Sequence, residues 1–151
     1  MAILDRLVNR LENFGGLFFE ETEVARYVTV AGSDAGFTIP SPTSPLSDRH
    51  VQQIQLPGLV TGPLPVLFFR TTHTGTPDFS IRVNTTPVFG LTLPAGGPHS
   101  WHEILPVGAL RAQDNEITLN VGGDGVVTVS DIVILYTSNK LTVRKELVLT
   151  L

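Results

Sequence analysis

Between Phe79 and Tyr136 apolar and polar residues alternate almost without interruption, up to the closing run GDGVVTVSDIVILY. A period of two marks strands with one buried face and excludes a helical bundle for this stretch. It sets Phe79, Ile81 and Val83, then Ile117, Leu119 and Val121, on one face, with Ser80, Arg82, Thr118 and Asn120 on the other. Similar runs are predicted at 26–30, 50–56, 66–70, 88–93 and 101–105, and Val126 to Tyr136 reads as the longest strand. Turn chemistry separates them: Gly32 to Gly36, Pro57-Gly58, Gly75 to Asp78, Asn84 to Pro87, Pro94 to Pro98 and Asp114-Asn115. Gly122-Gly123-Asp124-Gly125 reads as a hairpin, because consecutive positive-φ positions favour Gly and Asp. About ten short strands at this spacing predict a two-sheet antiparallel sandwich.

Composition agrees. A chain of 151 residues that is 42% hydrophobic can bury one full core, and 14 Gly and 11 Pro against 16% charged residues suit short strands and tight turns. The absence of cysteine excludes disulfides and thiolate metal sites. A net charge of −4 with scattered basic residues argues against a nucleic-acid surface. The one basic concentration, Lys140, Arg144 and Lys145, is diluted by Glu146 and reads as a solvated strand face. No run reaches membrane-spanning length, and MAILDRLVNRLENF lacks the unbroken apolar core of a signal peptide. The expectation is synthesis in the cytoplasm, with a place in a particle or export by another route left open.

The termini have their own pattern. Ile3, Leu4, Leu7, Leu11 and Phe14 recur at helical spacing before Gly15-Gly16, which predicts an amphipathic helix over 1–16 ahead of a β domain over 17–138. Leu141, Val143, Leu147, Leu149 and Leu151 alternate along a C-terminal strand over 139–151. Each segment has one apolar face, so each is expected to pack on the domain or to make homo-oligomer or assembly contacts. The loop 40–48, PSPTSPLSD, is expected to be exposed and extended.

Four pieces in order resemble the jelly-roll family of galactose-binding-like domains, found as accessory modules of glycoside hydrolases and in discoidin-type lectins. Phe79-Ser80-Ile81-Arg82-Val83-Asn84 looks like the family's strand ending in Val-Asn, and Trp101-His102-Glu103-Ile104 like its strand opening with Trp. Leu110, followed by Asn115-Glu116-Ile117-Thr118-Leu119, resembles the segment with a Leu, a short turn and an Asn. Val129 to Tyr136 is similar to the closing strand. Thr85-Thr86 stands where the family usually has Gly after Asn. The resemblance covers residues 79–136 and implies an all-β antiparallel jelly-roll sandwich that binds carbohydrate without catalysis and without a cofactor.

His99-Ser100-Trp101-His102-Glu103 is the densest group of reactive side chains. In a strand His99, Trp101 and Glu103 share a face while His102 points the other way, so the imidazoles diverge and a metal site is not expected. As a sugar site, Trp101 would offer a flat apolar platform with His102 and Glu103 beside it, and Arg70 and His73 would add hydrogen bonds if they flank that face. The competing reading makes Trp101 part of the core. Asp131 lies in register with Val127, Val129, Val133 and Leu135, so its carboxylate needs a bulge, a rim position or a partner. Asp34 and Asp124 sit in Gly-rich turns without the ligand cluster calcium demands. No paired acid and base stands at hydrolase spacing. Two functions follow: a carbohydrate-binding module, or a self-assembling structural subunit of a phage or injection-machine particle that uses residues 1–16 and 139–151.

Overall fold

The computed structural model describes residues 23–40 and 49–140. The expected helix over 1–16, the loop 41–48 and residues 141–151 of the expected C-terminal strand lie outside the described residues. Within them the chain is all-β, with strands β1 (Val24–Ala31), β2 (Phe37–Ile39), β3 (Arg49–Ile54), β4 (Val66–Val83), β5 (Thr86–Thr92), β6 (His99–Ile104) and β7 (Asn115–Ser138). Every pairing is antiparallel. Among the described residues there are seven strands, because β4 joins the expected strands at 66–70 and 79–83 and β7 those at 117–121 and 126–136.

The frame is the ladder of β4 against β7, which runs from Val66–Leu135 to Val83–Ile117. A strand rises about 3.4 Å per residue, so the rings of Phe69 and Phe79 would lie roughly 30 Å apart on a straight β4. Their centroids are 6.1 Å apart. The ladder therefore folds back on itself and lays its two halves face to face. One layer holds β3, the first half of β7, the second half of β4, and β5. The other holds β1 and β2, the second half of β7, the first half of β4, and β6.

The fold-back lies where two separate turns were expected. Gly75 pairs with Gly125, Thr76 with Asp124 and Pro77 with Gly123, so neither 75–78 nor 122–125 is a hairpin. Both are bends in continuous strands. Gly75 and Gly125 have φ of 72° and 142°, and a Cβ on either would collide with a backbone oxygen, of Asp124 or Thr74 respectively. Glycine is required at both positions.

The expected alternation holds through the first half of β7 and then changes phase. Val127 and Val129 are buried, but the next buried residues are Ile132, Ile134 and Tyr136. Asp131, at φ 51°, is the cause. Val133 pairs with Phe68 while Ser130 pairs with Arg70, so β7 carries an extra residue there. This bulge turns Val133 and Leu135 outward, against the single row expected from the sequence, and leaves Asp131 half-buried. The inward faces of both layers contribute to one core, with Leu67, Phe69, Phe79, Ile81, Ile117, Leu119 and Ile134 among its members.

Candidate functional site

The five residues expected to bind a ligand do not form one patch. Along β4 the inward positions are Leu67, Phe69, Thr71 and His73, and on β6 they are His99, Trp101 and Glu103. Arg70 and His102 point outward, next to Phe68, whose ring centroid is 6.4 Å from that of His102. Arg70 and His73 are three residues apart on one strand, which puts them on opposite faces.

Trp101 is half-buried and belongs to an aromatic cluster that joins the two layers. Its ring lies edge-on to Phe89 at 5.2 Å, near-parallel to Phe69 at 6.4 Å and tilted against His99 at 5.7 Å. Its indole N–H donates to Thr71 Oγ1 at 2.8 Å, which satisfies a hydroxyl on a residue with no solvent exposure. Behind it, His73 and His99 lie with rings 6.3 Å apart, and His73 Nδ1 and His99 Nε2 are enclosed without a hydrogen-bond partner. Among the described residues no three His, Asp or Glu side chains stand close enough to hold a metal ion.

The outward face of the other layer has a different character. Rows of polar side chains cross it, and residues from three neighbouring rows are committed to one another. Arg49 lies 3.8 Å from Glu116, Gln53 and Thr118 donate to the same carboxylate at 3.2 Å, and Arg82 donates to the Thr85 carbonyl at 3.1 Å. Toward the fold-back this face opens into a shallow depression of about 460 Å³. Asp78 and Ser80 on β4, Thr92 on β5 and Asn120 on β7 surround it, with Leu91 at one side. Register explains the grouping: Ser80 pairs with both Asn120 and Gly90, and Asp78 with both Thr92 and Gly122.

Gly90 and Gly122 make the depression by having no side chains. A Cβ on Gly90 would meet nothing within 4 Å, and one on Gly122 would touch only Asp78, at 3.8 Å. The Thr92 hydroxyl donates to Asp78 Oδ1. Ser80 and Asn120 make no side-chain hydrogen bond within the described residues, so a hydroxyl and an amide face the gap uncommitted. This arrangement can exchange hydrogen bonds with a neutral polyhydroxylated molecule through acceptors and donors together. Sequence reasoning put Ser80 and Asn120 on the outward face but passed over them. The available signal was a glycine inside a strand, at position 90.

No family model matches this chain, and no curated protein matches it. Among solved structures, dimeric latent PorU from Porphyromonas gingivalis matches with a TM-score of 0.55 and 10% identity, over 77% of this chain and 13% of that one. This chain thus spans a small part of PorU, and the likeness concerns the fold. A carbohydrate-binding module, CBM36, solved with calcium and xylotriose, matches with a TM-score of 0.40 and 14% identity, over 78% of this chain and 99% of that one.

Proposed function

We propose that this chain is a non-catalytic carbohydrate-binding module of jelly-roll topology, kin to the galactose-binding-like domains that its motifs resemble. The observation that carries the reading is the glycine-floored depression, where Asp78, Ser80, Thr92 and Asn120 converge from three strands on two positions without side chains. A carboxylate, two hydroxyls and an amide match the mixed donors and acceptors of a sugar ring. The Trp101 platform is not part of this site.

The test is titration calorimetry or ligand-observed NMR with a panel of neutral oligosaccharides. Gly90→Val fills the depression with a residue that suits a strand, at a position where an added Cβ meets nothing within 4 Å. It is expected to leave the unfolding midpoint unchanged and to weaken glycan binding about tenfold or more, as is Asn120→Ala. Absence of binding to any glycan of the panel at millimolar concentration, or binding indifferent to both variants, overturns the reading. A second reading, a structural subunit that assembles with copies of itself, is favoured by the apolar face described next.

A further inference from the structure

The outward face of the layer formed by β1, β7, β4 and β6 is not built for water. An antiparallel sheet with one solvated face carries polar residues there, as the opposite layer does with Arg49, Glu116, Thr118 and Arg82. Here Tyr27 pairs with Leu135, Leu135 with Val66, and Val66 with Ile104, so one uncharged apolar row crosses all four strands. Tyr27 is 72% exposed and Ile104 63%. The next row is Thr29, Val133, Phe68 and His102, again without a carboxylate or a lysine. The bulge at Asp131 is what turns Leu135 and Val133 to this side.

We infer that this face is the contact between two copies of the chain, related by a two-fold axis that runs parallel to β4 and β7 and passes between them. Such an axis sets Tyr27 of one copy over Ile104 of the other, and Leu135 over Val66. The first two rows carry no carboxylate, lysine or arginine and so meet their copies without stranding an ion, while Arg70, in the third row, comes over Ser130 of the other copy, next in sequence to the half-buried Asp131. Each side chain on a sheet face covers about 33 Å², from spacings of roughly 4.8 Å between strands and 6.8 Å between like-facing residues. Some fourteen positions, from the Tyr27 row to the outward threonines of β2, β7 and β4, then bury on the order of 1,000 Å² in total. That reaches the lower bound of a specific interface, in the size class of weak, reversible contacts.

Sedimentation of the full chain between roughly 10 and 500 μM tests it. The expected result is a concentration-dependent dimer that Ile104→Asp weakens about tenfold or more while the unfolding midpoint stays in place. Tyr27→Ser, at the most exposed position, gives the same reading if the aspartate variant folds poorly. Because the chain has no cysteine, Tyr27→Cys with Ile104→Cys should join into a covalent dimer with a short bis-maleimide, and neither single variant should do so as efficiently. A full chain that stays monomeric, including one whose Ile104→Cys thiol becomes reactive only when residues 1–16 are removed, overturns the inference. So does a dimer indifferent to Ile104→Asp and Tyr27→Ser.

Discussion

Asn84 and Asn115 are two of the positions that carry the resemblance to galactose-binding-like domains, and both serve as fasteners between loops. Asn115 has no solvent exposure; its Oδ1 accepts from the Arg111 N–H at 2.8 Å and from Asn84 Nδ2 at 3.1 Å, and its Nδ2 donates to the Arg111 carbonyl at 2.6 Å. Asn84, at φ 54°, also donates to the Ala109 carbonyl at 2.8 Å and accepts from the Glu116 N–H at 3.0 Å. Leucine at 115 would remove three hydrogen bonds and leave the part-buried Arg111 N–H and carbonyl without their partner, a cost of roughly 2 kcal/mol. Urea unfolding of Asn115→Leu is expected to show that loss, with Arg111→Ala, which keeps the backbone bonds, losing under about 1 kcal/mol. Asp131 shows the limit of reading at this scale. A period of two cannot register an inserted residue, so the alternation assigned Val133 and Leu135 to the wrong face, although the need for a bulge at a carboxylate among valines was visible.

At the scale of elements, the strand segments were legible because alternation is a local property, and the turn at Asn84 and the loop into Asn115 were legible from their residues. The fold-back was not. Gly75 and Gly122 to Gly125 have the chemistry of tight turns, and the same positive-φ residues serve a hairpin or a bend; only the pairing of two segments far apart in the chain decides which. The site suffered likewise, since its residues come from three strands and their register is set by that pairing. Gly125→Ala places a Cβ against the Thr74 carbonyl at φ 142°. It is expected to cost about 3 kcal/mol or more, or to prevent folding. Gly32→Ala, where a Cβ meets nothing within 4 Å, should be neutral within about 0.5 kcal/mol when both variants are followed by thermal denaturation.

For the molecule as a whole, the two layers are held together near one rim by His50 of β3 stacked on Phe37 of β2, with ring centroids 3.8 Å apart. Burial holds the His50 imidazole below its ordinary value of 6.5, against the opposing effect of a hydrogen bond with Gln52. The fold prefers the neutral ring, so the unfolded chain takes up the proton first as pH falls. Stability from this residue is complete above about pH 6.5 and is lost as the pH drops from there toward the folded-state value. His50→Phe keeps the stack and removes the proton. Its melting temperature is expected to fall less than that of the unaltered protein between about pH 7.5 and pH 5.5; equal slopes would assign the acid sensitivity to other groups.

β4 and β7 each give one half to either layer, so neither layer possesses a complete set of strands of its own. Pulling the layers apart does not release two smaller sheets; it breaks the strands that define both. Among the described residues there is no point at which half of the fold could come undone and leave the remainder standing, and a cut in the bend at Gly125 would damage both layers rather than free one.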